Sequence, residues 1–578
     1  MSEPRSGARV LAEQLLIQGV NHLFCVPGES TVPVLDALIG SAGLRVVVNR
    51  HESGSAFMAC AYARLTGQPG VAYVSRGPGA TNAAIGVHNA RQDSLPLVLF
   101  VGQSPTAFLE REAFQEIDCG AVFGSMCKWV AQVDRADRIP EFVARAFQTA
   151  TSGRPGPVVI ALPEDVLDQQ TPAADARCHQ AVQAAPSDTQ IAAIRRQLGK
   201  AQRPIVILGG SGWSAAAAEN LAGFAQANSL PVACAFRFQD VLDNRHPNYV
   251  GDVGLGINPA LAQRIRDADL ILAFGARLGE ATTGGYELIR APIARQALVH
   301  AHPGIEELGR VFQADVMINS GMPQLAARLA MMTPIDEPAW APQLAQARAQ
   351  YAAWQQRPAL LESHPPALDP WQVLADLRGA LPHNAIVANG AGNFSAWLHR
   401  FFPYIGPGTQ LAPTSGSMGY AVPAAVAAKI IAPEKTVVCI SGDGDFLMSA
   451  QELATACQNN TAVLFIVFNN GMYGTIRMHQ EQRFPGRVTG TALSNPDFAK
   501  LIEAYGGFGC RVERTADFPA ALKQALAELR ARRLPALIEL ACDPQLITPG
   551  ARIEDLRAAA AAPSPPAPLP QAGEGRKL

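Results

Sequence analysis

Thr436-Val437-Val438-Cys439-Ile440-Ser441 runs into Gly442-Asp443-Gly444, and Ala462 to Phe468 runs into Asn469-Asn470. Each apolar run has the length and β-branched content of a strand buried on both faces. A helical pattern from Ser449 to Gln458 joins them. Strand, helix and returning strand make a βαβ unit, and its right-handed crossover sets the two strand ends side by side. Ligands bind at that edge of an open parallel sheet. Asp443 and Asn470 offer two hard oxygens there, and Gly442 and Gly444 let a phosphate approach the backbone. A few hard oxygens beside a phosphate suit Mg²⁺. Gly, Asp and Asn are also ordinary turn residues, so the signal is the pairing of two such ends across one helix.

The alternation continues outward. Ala385 to Ala388 and Ala536 to Leu540 read as further strands of a unit over 368–548. In a first unit, over 1–168, the strands are His22 to Val26, Arg45 to Val48, Val71 to Ser75, Leu97 to Val101 and Val158 to Leu162. Between them lie helical patterns at Arg9 to Ile17, Val32 to Ile39, Ser53 to Arg64 and Ala80 to Ala90, with Gly77-Pro78-Gly79 as a turn. A central unit, 190–332, has Ile205 to Leu208 running into Gly209-Gly210-Ser211-Gly212, Leu270 to Phe274 into Gly275-Ala276-Arg277, and a strand at Ala297 to His300. Polar linkers are expected at Gln169 to Asp188 and at Thr333 to Asp369, the second partly helical. The Ala/Pro-rich tail 558–578 is expected to be disordered. The fold class is α/β, with three doubly wound parallel-sheet domains.

The 578 residues are enough for several cores, and 47 basic side chains nearly cancel 49 acidic ones. A net charge of -2 gives no electrostatic case for nucleic acid or an anionic membrane. No apolar run reaches the roughly 18–20 residues of a membrane helix. The polar N-terminus lacks the apolar centre of a signal peptide. Ten cysteines without a CxxC pair fit reduced thiols in a cytoplasm. These features describe a large, near-neutral cytoplasmic enzyme.

Two further signals lie in the first unit. His51-Glu52 sits between a strand and an Ala-rich helix, where a carboxylate can serve chemistry or simply a helix start. Gly77-Pro78-Gly79-Ala80-Thr81-Asn82 feeds a helix N-terminus.

Together these stretches resemble the thiamine diphosphate (ThDP) enzymes, most closely the catalytic subunits of acetolactate synthases, from about Gly7 to Pro549. Phe24 to Gly28, Ala113-Phe114-Gln115-Glu116, Lys128-Trp129, Gly153 to Val158 and Gly416 to Ala425 carry the resemblance as well. It implies that Asp443 and Asn470 bind Mg²⁺ with the Met472 carbonyl, and that Met418 lies under the cofactor rings. Pro27, Gly28, Asn82, Gly390, Ala391, Gly392, Gly442, Gly444, Asp445, Tyr473 and Gly474 would surround the cofactor. Glu52 would hydrogen-bond the pyrimidine N1′, and Gln115 would border a 2-oxo acid substrate or be a plain loop residue. The implied assembly is a homodimer or homotetramer, with Glu52 from one subunit facing Asp443 of another, and a regulatory subunit is compatible with it.

Departures from the synthase pattern gather around the substrate. Gly392-Asn393-Phe394 stands for Gly-Gln-His, Glu29 for a glycine and Glu164 for a lysine. After Asn470, where the synthases carry an acidic run and then Gln-Gly-Met, this chain has Gly471-Met472-Tyr473-Gly474-Thr475, and His479 falls near a pocket tryptophan. The expected activity is decarboxylation of a 2-oxo acid followed by carboligation, with decarboxylation alone as the alternative. A flavin-dependent oxidase and a non-catalytic homologue complete the alternatives. Central domains of this family often bind FAD. Here Arg277-Leu278-Gly279-Glu280-Ala281 and His300-Ala301-His302-Pro303 depart from the flavin pattern. His300 and His302 share one strand face and are expected as a hydrogen-bonded surface pair rather than metal ligands.

Overall fold

The computed structural model describes residues 3–561. Its core is three six-stranded sheets, each parallel throughout. The first holds β1 (His22–Cys25), β2 (Arg45–Val48), β3 (Gly70–Val74), β4 (Leu97–Gln103), β5 (Trp129–Gln132) and β6 (Pro157–Pro163), in the order 2-1-3-4-6-5. The second holds β7 (Pro204–Leu208), β8 (Val232–Ala235), β9 (Tyr249–Val253), β10 (Leu270–Phe274), β11 (Ala297–His302) and β12 (Val316–Asn319), in the order 9-8-7-10-11-12. The third holds β13 (Ile386–Asn389), β14 (Gln410–Leu411), β15 (Val437–Gly442), β16 (Val463–Asn469), β17 (Phe508–Val512) and β18 (Ala536–Ala541), in the order 14-13-15-16-18-17. The first and third sheets therefore share one topology, and the middle sheet has the dinucleotide-fold order.

Helices cover both faces, so the inner strands are buried at every position, as in β3, β4, β6 and β15. The strands missing from the sequence reading are those without such a run. β5 is half-buried along its whole length, β14 has two residues, and β8 and β9 are interrupted by Ala and Gly.

Three boundaries move. Gly77-Pro78-Gly79 is the first turn of the helix Gly77–Asp93, with proline where the helix needs no N–H donor. The helix after β15 divides into Asp443–Leu447 and Glu452–Gln458. The helix Ile553–Ala561 takes in residues 558–561, which corrects the start of the expected disordered tail; the rest of that tail lies outside the described residues.

The first and third domains share one continuous apolar core. The helix Glu52–Thr66 lies against Ala421–Ile431, and the Phe57 and Tyr420 rings meet edge-on at 5.5 Å. Within the first domain the same helix packs closely on Gly77–Asp93, where a Cβ on Gly86 would stand 2.3 Å from that of Ala56.

Arg154, in the Gly-Arg-Pro-Gly stretch, ties the first domain to the second. Its guanidinium pairs with buried Glu307 and donates to Ser94 Oγ at 2.9 Å and the Arg91 carbonyl at 2.7 Å. Burial and neighbouring Arg277 pull Arg154 down to about 10, against the pull of Glu307. Glu307→Gln leaves this cluster of cations uncompensated. It is expected to cost about 3–5 kcal/mol, read as a lowered urea midpoint.

Candidate functional site

β15 and β16 pair in register from Val437↔Val463 to Gly442↔Phe468, so Asp443 and Asn470 emerge side by side. Asp443 opens the helix Asp443–Leu447. Its Oδ2 accepts the Gly471 N–H at 2.9 Å and Asn495 Nδ2 at 2.7 Å. Burial pushes the Asp443 carboxyl up, while these donors, Asn495 foremost, pull it back. Asn470 Oδ1 accepts the Met472 N–H at 3.2 Å. A strap holds this loop in place: the Leu493 N–H donates to the Gly471 carbonyl and the Tyr473 N–H to the Thr491 carbonyl.

Every third-domain residue expected at the cofactor, except Gly390, lines one cavity of about 280 Å³. Gly390 lies behind it, because a Cβ there would overlap the Asp445 carboxylate at 1.8 Å. Asp445 is fully buried, and burial raises it to about 6 against its hydrogen bonds. It accepts from Ser441 Oγ, from the Gly419 N–H at 2.9 Å and from the Ala391 N–H at 3.2 Å. It thereby binds the β13 turn and the Met418 loop to the end of β15.

Among the described residues, no group of three or more His, Cys, Asp and Glu is placed to hold a metal. A cation beside Asp443 would rest on one carboxylate, one amide oxygen and one backbone carbonyl, with space for phosphate oxygens and water. That donor set fits Mg²⁺ rather than zinc.

The other half is built at the C-terminal edge of the first sheet. Glu52 is the first residue of its helix, and Asn82 Nδ2 donates to Glu52 Oε2 at 2.9 Å. Gly79 lies beside the other oxygen, where a Cβ would stand 3.4 Å from Oε1. Gly28, after Pro27, lies against Ser75, which a Cβ would approach to 2.7 Å. The Gln115 carbonyl accepts the Gly77 N–H at 2.8 Å, while its side chain is on an exposed loop with left-handed backbone (φ 60°). No first-domain residue lines the 280 Å³ cavity, so one chain does not bring Glu52 and Asp443 into one pocket. His479 is exposed on the helix Gly474–Arg483 and does not line the cavity, whereas Phe394 does.

Comparison with known proteins matches three domain models in this order. These are the N-terminal TPP binding domain of thiamine pyrophosphate enzymes at residues 5–122, their central domain at 191–329, and their C-terminal TPP binding domain at 390–540. The chain is 32% identical to the acetolactate synthase isozyme 2 large subunit of Escherichia coli (strain K12), over 90% of this chain and 93% of that one. The chain belongs to the thiamine pyrophosphate enzyme family. Thiamine pyrophosphate is another name for ThDP. The chain is also 31% identical to the acetolactate synthase large subunit of Corynebacterium glutamicum, over 90% of this chain and 85% of that one. To the mitochondrial acetolactate synthase catalytic subunit of Saccharomyces cerevisiae it is 30% identical, over 93% and 81%. It is thus a thiamine pyrophosphate enzyme related to acetolactate synthase large subunits.

In this thiamine pyrophosphate enzyme the central domain carries a signal that the sequence reading caught only in part. Gly210-Ser211-Gly212-Trp213-Ser214-Ala215 follows β7 and opens the helix Ala215–Ala227, the G-x-G-x-x-A spacing of a phosphate loop. Gly210 and Gly212 are left-handed (φ 73° and 85°). The ribose-binding acid of that motif is missing. β8 ends at Ala235, followed by Phe236 and Arg237, whose buried guanidinium donates to the Pro413 and Gly390 carbonyls. The residues therefore do not make a full flavin dinucleotide set.

His300 and His302 are buried, not on the surface as expected. They do share a face, with ring centroids 6.2 Å apart. His300 Nε2 bonds the Ala276 carbonyl at 2.9 Å, and His302 Nδ1 receives the Gly304 N–H at 3.0 Å. Burial lowers both, His302 to about 3, so neutral imidazoles fill this wall.

Proposed function

We propose that this enzyme uses ThDP and Mg²⁺ to decarboxylate a 2-oxo acid and join the remaining fragment to a second one, as acetolactate formation requires. The observation that carries the reading is the division of the site. One half is a carboxylate held by Asn82, and the other is a hard-oxygen cavity at Asp443, Asn470 and Met472. Bound ThDP supplies the carbanion and takes up the electrons of decarboxylation. Asp443, Asn470 and the Met472 carbonyl would hold Mg²⁺, and with it the diphosphate. Met418, on the cavity wall, would support the rings. Glu52 would hold a proton at the pyrimidine N1′, fixed in place by Asn82. The mainly apolar cavity walls, Phe394 among them, would keep water away. No step is derived through FAD.

The working unit in this reading is a homodimer or larger homo-oligomer, in which Glu52 of one chain closes the Asp443 cavity of the other. Exposed apolar side chains support it on both halves. Ile85 lies on the Gly77–Asp93 helix and Phe114 beside Gln115, while Leu447 and Met448 end the helix that Asp443 begins. Such side chains near a site mark a surface to be covered. The relatives' names, large and catalytic subunit, extend the proposal to a regulatory chain. A cytoplasmic location accords with ten unpaired cysteines. No helix of the described residues is long and apolar enough to cross a membrane.

Incubation with pyruvate, ThDP and Mg²⁺ tests the reading by product analysis. Acetolactate is expected. Acetaldehyde without acetolactate would replace carboligation by simple decarboxylation.

A further inference from the structure

Glu452 opens the helix Glu452–Gln458, the next helix after the one begun by Asp443. Its side chain is fully buried and reaches across to the first domain, to the residues just before Glu52. Oε1 accepts the backbone N–H groups of Arg50 and His51, each at 3.1 Å. Oε2 accepts from Thr455 Oγ1 at 2.6 Å and Asn49 Nδ2 at 3.1 Å. None of these four donors carries a charge. A carboxylate buried this way is tolerated only when donors take its lone pairs, and such charge-assisted bonds are the strong ones. Gly54 keeps the space open, since a Cβ there would lie 2.4 Å from Oε1.

The two N–H groups that Glu452 holds belong to the residues immediately before Glu52, where the backbone is still extended (His51 φ -151°, ψ 144°). Helix starts are normally capped from nearby in sequence. Here the His51 ring does so for the Ser53 N–H at 3.2 Å, while the two preceding peptides are held from another domain.

We propose that Glu452 is a positioning residue for Glu52. It fixes the two peptide planes that aim the Glu52 carboxylate. In a dimer sharing its sites, it thereby ties the pyrimidine half of one site to the diphosphate half of the other. This rests on the reading of Glu52 as the group that holds the proton at the cofactor.

The test is deuterium exchange at the thiazolium C2 of bound ThDP, followed by acid quench and NMR, in Glu452→Gln and Glu452→Asp holoenzymes. The first keeps the shape and removes the charge, and the second keeps the charge and withdraws it from the backbone. Exchange per bound cofactor is expected to fall about tenfold or more, with ThDP affinity close to wild type, while the unfolding temperature falls because charge-assisted bonds to a buried carboxylate are lost. A purely structural role would lower the unfolding temperature and leave exchange per bound cofactor unchanged. Glu52→Gln is run alongside. If it slows exchange while both Glu452 variants exchange at the wild-type rate, the proposal is overturned and the reading of Glu52 stands. If Glu52→Gln also exchanges normally, that reading fails and takes the proposal with it. Should the Glu452 variants not fold, Asn49→Ala removes one donor to Oε2 and leaves both backbone contacts. A smaller fall in exchange at unchanged ThDP affinity is then expected, and an unchanged rate overturns the proposal.

Discussion

Replacing Glu52 by glutamine is expected to cut turnover by about 10²–10⁴-fold, the range for removing a positioned acid–base group. ThDP should still bind, because the diphosphate half is built by another domain. The variant also separates chemistry from folding. Glutamine keeps the shape of the side chain and an oxygen to accept from Asn82 Nδ2. What it gives up is a charge in the first turn of the helix, worth about 0.3–1 kcal/mol on an exposed helix. Steady-state rates, a ThDP titration and thermal unfolding on one preparation check the three parts. Wild-type turnover in a folded variant would remove Glu52 from the reaction.

Asp443→Ala is expected to fail earlier, at cofactor binding. Three carboxylates line the cavity, but Asp445 is committed to Ser441, Gly419 and Ala391, and Asp543 to Arg552 and the Gln545 N–H, which leaves Asp443 for the proposed cation. Losing a residue that merely orients a metal ligand costs about 10–100-fold in metal affinity or activity, so loss of the ligand itself should reach at least the upper end. Asn495→Leu removes a donor shared by Asp443 Oδ2 and Asn469 Oδ1 and is expected to fall within that range. Mg²⁺-dependent ThDP titration distinguishes the two. An Asp443→Ala protein that binds ThDP with wild-type affinity and Mg²⁺ dependence would contradict the metal assignment.

Much of the fold is legible because inner parallel strands are continuous apolar runs. Val437–Gly442 and Val463–Asn469 announce themselves, and the short connection between them leaves one way to place Asp443 beside Asn470. Edge strands carry no such signal. Trp129–Gln132 faces solvent in part at every residue and is absent from the strands read from sequence. The parity of His300 and His302 is readable from period two, but their depth is not, because it depends on what covers the strand.

The polar contacts that hold the site are least visible of all. Asn495 meets Asp443, and Glu452 meets Arg50, across stretches that local pattern does not span. Asp445 sits inside the Gly-Asp-Gly-Asp run, yet its bonds to Ala391 and Gly419 make it a brace between two loops and the end of β15. Composition and periodicity report which side chains are apolar and which way they point. They do not report which distant donor will occupy a buried carboxylate.

Mixed dimers give the most direct test of a site completed by two chains. Glu52→Gln and Asp443→Ala subunits, each inactive alone, are co-expressed with different tags, and the doubly tagged dimer is purified. If Glu52 of one chain serves the Asp443 cavity of its partner, both defects fall in one site and the other site is intact. The account predicts that the mixed dimer regains acetolactate-forming activity with ThDP and Mg²⁺. A mixed dimer that is folded, binds ThDP and remains as inactive as its parents would contradict it.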